Sequence, residues 1–363
     1  MGYRITLIPG DGIGPEVTQA ARQCIDALGI EIEWEIALAG EPALKEKNSL
    51  LPKETLDSIK KNRVALKGPI VTPIGSGFRS VNVALRQTLN LYACVRPAKS
   101  IVGIPSKYKD VDIVVIRENS EDLYAGIEFF KGESSTKNLI EELSQLSGKN
   151  ILKDSAISIK PISQSASERI IEFAFEWAQK ERRKKVTCVH KANIMKATDG
   201  LFLSCFKEIA SKYPNIIAED IIVDNLCMQL ILKPENFDVL VLPNLYGDII
   251  SDLCAGLIGG LGVAPGANIG KEFAVFEPVH GAAPKYAGKN KVNPTATIIS
   301  GVMMLKHLGE IEKAKLLEEA TYQVIKEGKF VTYDLKPRRD DPTAVGTKEM
   351  AQAIIDKING MKK

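Results

Sequence analysis

The chain has 363 residues, which is enough for two domain-sized units or one large α/β body. Apolar residues make up 45% of it, and 48 basic against 45 acidic residues leave a net charge of only +3. This balance argues against nucleic acid or a membrane surface as a partner, and no apolar run reaches the roughly 18 residues of a membrane helix. The six cysteines form no CxxC pair. We therefore expect reduced thiols and a cytoplasmic location, or the mitochondrial matrix for a processed organelle protein.

Strand-like and helix-like segments alternate along the chain. The predicted strands cover residues 4–8, 30–37, 63–67, 112–117, 155–161, 185–190, 221–224, 238–243 and 273–276. The predicted helices cover residues 15–28, 168–181, 201–212, 248–257, 295–308 and 310–327. This alternation predicts an α/β fold with much parallel sheet. The polar stretch 131–155 predicts a surface insertion or a dimer arm, and 334–347 predicts a loop before a last helix.

The first predicted strand leads into a glycine-rich turn, "GDGIGPE" at residues 10–16. Gly10 and Gly12 match the first two glycines of G-x-G-x-x-G, but Pro15 stands where the third glycine belongs. Proline suits the first turn of a helix. The stretch therefore predicts strand, turn and helix, but not the dinucleotide fingerprint of a Rossmann fold.

Two aspartates open another predicted helix, in "NLYGDIISDLCAGL". Asp248 and Asp252 are four residues apart, so they share one helix face. Two carboxylates in so apolar a segment need a compensating cation, and Mg²⁺ or Mn²⁺ fits oxygen ligands. The alternative is that one aspartate caps the helix and the other faces solvent.

Basic side chains follow or flank the predicted strands. Lys191 follows the strand that ends at His190, at the edge where open α/β sheets bind ligands. A metal cation beside a lysine disfavours its ammonium form, which suits a general base. Arg86, Arg96 and Arg117 are candidates to hold a polyanionic acid, because arginine binds carboxylates bidentately. The alternatives are that Lys191 is a surface lysine, that His190 is a structural histidine, and that each of the three arginines makes a structural ion pair.

Seven stretches, in order, resemble the β-decarboxylating dehydrogenases, which act on isocitrate, isopropylmalate or homoisocitrate. They are "GDGIGPE" (10–16), "SVNVALRQTLNLYACVRP" (80–97), "IRENSEDLYAG" (116–126), "HKANIMKATDGLF" (190–202), "VDNLCMQL" (223–230), "NLYGDIISDLCAGLIGGLG" (244–262) and "FEPVHGAAPKYAGKNKVNP" (276–294). The resemblance implies an isopropylmalate/isocitrate dehydrogenase-like fold: a large mixed sheet flanked by helices, with two domains and a cleft between them. It implies a cofactor-binding domain of residues 1–97 and 256–363. The second domain, 98–255, would carry the dimer interface and an arm around 131–165.

The same resemblance assigns roles around the acidic pair. It implies that Asp248, Asp252 and Asp224 of the partner subunit bind the metal, and that Lys191 of the partner subunit takes the proton of the substrate hydroxyl. Tyr124 then resembles the acid that reprotonates the enolate carbon, and Arg86, Arg96 and Arg117 resemble the ligands of the substrate carboxylates. A homodimer would be the minimal active unit.

In the resembled family, isocitrate dehydrogenases carry Ser-x-Asn just before the first of these arginines, and isopropylmalate enzymes carry apolar residues there. This chain has Ser80-Val81-Asn82, so the resemblance implies isocitrate as substrate and 2-oxoglutarate with CO₂ as products. A hydroxyl and an amide can donate to the γ-carboxylate of isocitrate, whereas facing an alkyl group would cost about 1–3 kcal/mol per unpaired group. Homoisocitrate dehydrogenase is the close alternative. A catalytically silent regulatory subunit is a further alternative, although all the catalytic positions are present.

The cofactor prediction depends on the loop after His280. NAD-dependent members of the resembled family tend to have Asp where this chain has Lys285, and Lys285 with Tyr286 and Tyr333 offers a cation and two phenols to a 2′-phosphate. Pro337 departs from the NADP pattern, and Arg338 or Arg339 would substitute for the missing arginine. The resemblance therefore implies NADP, with NAD as the alternative. The other cofactor-binding residues it implies are Thr72, His280, Gly281, Ala283, Val292 and Asn293.

Overall fold

The computed structural model describes residues 2–71 and 80–362, and its centre is one ten-stranded sheet. The strand order in that sheet is β2-β1-β3-β12-β11-β4-β5-β10-β8-β9, and β6 pairs with β7 in a separate small sheet. The strands are β1 (Tyr3–Ile8), β2 (Ile32–Ile36), β3 (Val64–Lys67), β4 (Ala93–Lys99), β5 (Asp112–Glu118), β6 (Glu128–Phe129), β7 (Ile157–Ser158), β8 (Lys185–His190), β9 (Ile217–Ile222), β10 (Val239–Leu242), β11 (Pro265–Ile269) and β12 (Ala274–Pro278).

Helices flank this sheet. Within the described ranges they are α1 (Gly14–Asp26), α2 (Glu41–Lys47), α3 (Lys53–Asn62), α4 (Val81–Thr88), α5 (Ser134–Ser147), α6 (Gln164–Lys180), α7 (Thr198–Ala210), α8 (Val223–Leu232), α9 (Asn244–Leu257), α10 (Thr295–His307), α11 (Ile311–Glu327) and α12 (Thr347–Met361). None of the helices in these ranges combines the length and the apolarity that crossing a membrane requires.

The sheet is mixed, as the fold prediction requires. Most neighbouring strands pair in parallel, but β11 runs antiparallel to both β12 and β4, and β4 runs antiparallel to β5. The central strands are buried on both faces, so they read as continuous apolar runs: Ile113 to Ile116 in β5 are inaccessible to solvent. The α/β fold with a large mixed sheet flanked by helices is thereby confirmed.

The opening turn is also as predicted: β1 leads into α1, and Pro15 lies in the first turn of that helix. Gly10 and Gly12 have positive φ, and a Cβ on Gly12 would collide with the Ala282 carbonyl oxygen. These glycines therefore allow a close approach between the opening turn and the loop after β12.

One predicted strand is misplaced. The predicted strand 221–224 overlaps β9 only at Ile221 and Ile222: β9 starts earlier, at Ile217, and Asp224 lies in the first turn of α8. Ile221, Ile222 and Val223 are β-branched, which favours a strand reading, but an acidic residue in a first turn is stabilised by the helix dipole. The predicted strand 155–161 is reduced to the two residues of β7.

The polar stretch 131–155 contains α5 and leaves apolar side chains on the surface. Leu146 and Leu152 are exposed within it, and Phe130 is exposed just before it. Whether this segment is an arm, and whether the domains divide at the predicted boundaries, stay predictions. One continuous sheet runs through both predicted domains, since β4 pairs with β5 along seven residues.

Candidate active site

The candidate site is built where β5 and β10 end side by side. These two strands and β8 run in the same direction, so their carboxyl ends meet at one edge of the sheet. Arg117 near the end of β5 pairs in register with Leu242, the last residue of β10. Helix α9 starts two residues later, so its first turns pass directly over Arg117.

Asp248 on α9 accepts hydrogen bonds from three other predicted site residues. Arg117 Nη1 donates to Asp248 Oδ1, and Arg96 Nη1 donates to the same oxygen over 3.3 Å. The Tyr124 hydroxyl donates to Asp248 Oδ2 over 2.5 Å. Asp252 lies one turn further along, 3.6 Å from Arg96. The structure thus brings the predicted acid, two substrate ligands and two metal ligands together.

The charges in this group shift one another. Burial raises the pKa of Asp248, but Arg117 and Arg96 outweigh it, so the pKa of this carboxyl lies below its usual value. Burial and the Asp248 charge raise the pKa of Asp252. Burial and the hydrogen bond to Asp248 raise the pKa of Tyr124, so its phenol stays protonated at neutral pH. A protonated phenol is the form that a proton donor requires.

Several buried polar atoms lack a partner within the described part of the chain. Three of these ten atoms belong to predicted substrate ligands: Asn82 Oδ1, Arg86 Nε and Arg117 Nη2. Ser80 is the N-cap residue of α4, and Asn82 lies in the first turn of that helix. Because buried polar groups are normally satisfied, these atoms mark a place where a polar ligand fits.

The predicted base lies in a second group. Lys191 Nζ donates to Asp224 Oδ1 over 2.5 Å, and this hydrogen bond lowers the pKa of Asp224. Among the described residues, no three His, Cys, Asp or Glu side chains come together as a metal site. The predicted metal ligands of one chain therefore lie in two separate clusters. One cluster contains Asp248 and Asp252, and the other contains Asp224 and Lys191.

The predicted cofactor residues cluster near the opening turn. Ile13 N donates to the Ala282 carbonyl over 2.9 Å, and Ala283 and Tyr286 pack with Val292 against Ile13. The other predicted positions extend this loop. Gly281 follows His280, the Nε2 atom of His280 is buried without a partner among the described residues, and Asn293 Nδ2 donates to Asp334 over 3.0 Å. Thr72 lies outside the described residues.

Two phenols and two cations lie close together here: Lys285, Tyr286 and Lys291 belong to this loop, and Tyr333 begins a separate short 3₁₀ turn. The rings of Tyr286 and Tyr333 are 6.4 Å apart, with Lys285 Nζ 5.1 Å from the Tyr286 ring centre and Lys291 Nζ 4.8 Å from that of Tyr333. The neighbouring Tyr333 hydroxyl and the Lys285 charge lower the pKa of Tyr286. Arg338 Nη2 donates to Asp340 Oδ2 over 2.9 Å, and both side chains are largely exposed, so the predicted cofactor role of Arg338 stays a prediction.

Sequence reasoning missed residues that support the arginines. Asn244 Oδ1 accepts from Arg117 Nε over 2.9 Å, Ser251 accepts from Arg96 over 2.6 Å, and Glu277 accepts from Arg86 over 3.2 Å. Glu277 also binds Lys67. The only signal was indirect: Lys67 ends an apolar strand, and Glu277 lies in a stretch that carries the family resemblance.

This fold and this acidic helix facing three arginines define a member of the isocitrate/isopropylmalate dehydrogenase family, whose sequence profile matches residues 4–354. A crystal structure of isocitrate dehydrogenase from Methylococcus capsulatus is 49% identical, with a TM-score of 0.89 over 98% of this chain and 99% of that one. The NADP isocitrate dehydrogenase of Archaeoglobus fulgidus is 44% identical over 98% of this chain and 93% of that protein. A mitochondrial regulatory subunit of the NAD isocitrate dehydrogenase of Dictyostelium discoideum is 47% identical over 98% of this chain and 93% of that protein. The predicted family is confirmed, while these relatives include both cofactors.

Proposed function

We propose that this protein oxidises and decarboxylates isocitrate to 2-oxoglutarate and CO₂ with reduction of NADP. The observation that carries the proposal is the convergence of Arg96, Arg117 and Tyr124 on Asp248, one turn from Asp252. Fixed guanidinium groups suit a multiply charged acid, and the acidic pair beside them suits a hard cation.

The substrate prediction is supported by the cationic and polar atoms of the site. Arg86, Arg96 and Arg117 provide charge for the carboxylates of isocitrate. Ser80 and Asn82 stand at the start of the helix that carries Arg86 and provide polar groups for the γ-carboxylate. The site joins residues of both proposed domains, because Arg86, Arg96 and Glu277 belong to one and Arg117 and Asp248 to the other.

The metal prediction is supported by the chemistry of the donors. Asp248 and Asp252 offer carboxylate oxygens on one helix face, and Asp224 of the partner subunit would complete the set for Mg²⁺ or Mn²⁺. When bound, the metal would supply Lewis-acid stabilisation of negative charge on the substrate, and the nicotinamide would supply the acceptor for the C2 hydride. Lys191 of the partner subunit takes the C2 hydroxyl proton. Tyr124, held by Asp248, returns a proton to the carbon that has lost CO₂.

A homodimer is supported by exposed apolar side chains beside the separated groups. Met228, Ile231 and Leu232 on α8 and Ile249 on α9 are all about half exposed or more. Such a patch typically marks an interface, and a two-fold axis brings the same patch of two copies together. The dimer would place Lys191 and Asp224 of one copy against Asp248 and Asp252 of the other.

NADP is supported by the cations around Tyr286 and Tyr333, since a 2′-phosphate needs positive partners. A cytoplasmic location accompanies this proposal and is supported by the free state of all six cysteines. The mitochondrial matrix stays the alternative, because some relatives are named as mitochondrial.

The test is a set of initial rates measured on the purified protein in the presence of Mn²⁺. Isocitrate, isopropylmalate and homoisocitrate are each assayed once with NAD and once with NADP. We expect the highest kcat/KM for isocitrate with NADP. Preference for NAD would overturn the cofactor assignment, and preference for homoisocitrate or isopropylmalate would overturn the substrate. Inactivity with all six pairs would favour a regulatory subunit.

A further inference from the structure

Lys160, which is not one of the predicted site residues, lies between the segment that carries the predicted acid Tyr124 and the segment that carries the predicted base Lys191. Lys160 Nζ is 2.6 Å from Asp199 Oδ1, 3.9 Å from Asp122 Oδ1 and 4.6 Å from the ring centre of Tyr246. Both aspartates are completely buried, and the lysine side chain is only 14% exposed. One ammonium group thus serves two buried carboxylates and an aromatic face.

The Asp199 contact leads to the predicted base. Asp199 Oδ2 accepts from the backbone N–H of Lys191 over 2.7 Å, while Oδ1 receives the Lys160 ammonium. The next amide, that of Ala192, donates to His190 Nδ1 over 3.0 Å. The backbone at Lys191 is therefore fixed by two side chains, one of which depends on Lys160 for its counter-charge.

The Asp122 contact leads to the predicted acid. Asp122 Oδ2 accepts from Leu245 N at the start of α9, and Oδ1 accepts from Leu123 N, each over 2.8 Å. Its backbone N–H donates to the Pro161 carbonyl, next to Lys160, and its φ of +70° is unusual for a residue with a side chain. Tyr124 follows two residues later in the same short 3₁₀ turn.

The aromatic contact reaches the acidic helix itself. Tyr246 lies on α9 two residues before Asp248, and its ring covers the Lys160 ammonium. The three contacts of Lys160 therefore lead to the turn of Tyr124, the helix of Asp248 and the loop of Lys191.

We propose that Lys160 is a positioning residue that couples the acid segment to the base segment through Asp122 and Asp199. The inference rests on the proposed function, in which Tyr124 serves the active site of its own chain while Lys191 serves that of the partner subunit. Lys160 then links the two active sites of a dimer through one charge. Removing that charge leaves two buried carboxylates without their cation, so both segments shift together.

The test uses Lys160→Met, which removes the charge, and Lys160→Arg, which restores it. Lys185→Met is the control for loss of a lysine charge: the Lys185 side chain is 23% exposed, pairs with the partly exposed Glu219 over 3.0 Å and lies 6.0 Å from the Phe237 ring. Lys185 begins β8, at the end of that strand remote from Lys191. The hydride step is measured in single turnovers with isocitrate deuterated at C2. The proton-donation step is measured separately, as deuterium exchange at C3 of 2-oxoglutarate by NMR.

We expect Lys160→Met to slow both steps by about tenfold or more, Lys160→Arg to recover most of each, and Lys185→Met to leave both within about twofold. Asp199→Asn should slow the hydride step more, and Asp122→Asn should slow the exchange more. The proposed coupling of the two segments would be overturned if Lys160→Met slowed only one of the two steps. It would also be overturned if Lys185→Met slowed both steps as much as Lys160→Met does.

Amide hydrogen exchange of the intact protein gives a readout without turnover. In Lys160→Met, peptides 119–126 and 190–200 should lose protection together, whereas in Lys185→Met they should not. Lys160→Gln replaces Lys160→Met in every measurement if the latter does not fold. If the wild-type protein catalyses neither partial reaction, the proposed function is overturned. The linkage is judged separately: joint loss of protection of the two peptides in Lys160→Met supports it, and unchanged protection refutes it.

Discussion

The Glu277 carboxylate binds two buried cations: Lys67 Nζ lies 2.5 Å from Oε2, and Arg86 Nη2 lies 3.2 Å from Oε1. Asn268 donates a third hydrogen bond to Oε1 over 2.7 Å. The single negative charge of Glu277 therefore fixes the guanidinium of Arg86 in the candidate site. Arg86 Nε stays without a partner among the described residues and is available to a ligand.

Glu277→Gln tests whether this charge positions Arg86. Glutamine keeps the shape and one acceptor, but it leaves Lys67 and Arg86 without their anion. We expect the KM for isocitrate to rise about tenfold and the stability to fall by about 3–5 kcal/mol, as when a buried ion pair loses one partner. Steady-state kinetics and urea unfolding measure the two effects. Glu219→Gln, which alters a partly exposed pair, should change neither, and an unchanged KM in Glu277→Gln would separate Glu277 from the site.

The same carboxylate predicts a pH dependence of stability. Burial raises the pKa of Glu277, but Lys67 and Arg86 outweigh it and hold the pKa well below its ordinary value of 4.5. The unfolded chain therefore binds this proton first as the pH falls, so the stabilisation is complete above about pH 4.5 and is lost below it, by up to about 1.4 kcal/mol per pH unit. Urea unfolding between pH 6 and pH 3, at one protein concentration, should show a shallower acid loss in Glu277→Gln. Parallel curves for the two proteins would contradict this assignment.

Gly247 is a further residue whose size controls an arginine. A Cβ at this position would lie 2.5 Å from both Cβ and Cγ of Arg117, which is buried beneath α9. We expect Gly247→Ala to displace Arg117 and to lower kcat/KM by about a hundredfold, equivalent to about 2.7 kcal/mol. Gly256→Ala on the same helix meets nothing within 4 Å and should gain about 1 kcal/mol of helix stability with normal kinetics. Equal kinetics in the two variants would show that Arg117 tolerates the displacement.

The sequence predicted best the elements with a clear length and apolar pattern. β8, α10 and α11 match their predicted bounds to within one residue, because β8 and α10 are mostly apolar segments of strand and helix length and α11 is amphipathic. β4 and β11 were missed. β4 contains Arg96 and Pro97, and β11 contains Gly266 and Asn268, so neither shows the apolar run of a buried strand. Their places in the sheet are set by neighbouring strands far away in sequence.

For the site, spacing along the chain indicated which residues share an element but not what they contact. The four-residue interval of Asp248 and Asp252 predicted one helix face, and the structure has it. That Asp248 receives Arg96, Arg117 and Tyr124 depends on the order of β4, β5 and β10, which no local pattern encodes. Glu277, Lys67 and Lys160 were missed for the same reason: each acts through a partner remote in sequence.

The separation of Lys191 and Asp224 from Asp248 and Asp252 gives a direct test of the shared site. Lys191→Met and Asp252→Asn should each inactivate the proposed homodimer. In a mixed dimer of the two, one site receives Asp252 from the first chain and Lys191 from the second, so that site is intact. Co-expression with two different affinity tags and double purification isolates this mixed dimer, and about half of the wild-type activity should return. Lys191→Met with Asp224→Asn is the control, because both changes fall in the same group and leave no site intact. If Lys191 and Asp252 served the same site from one chain, neither mixture would recover activity.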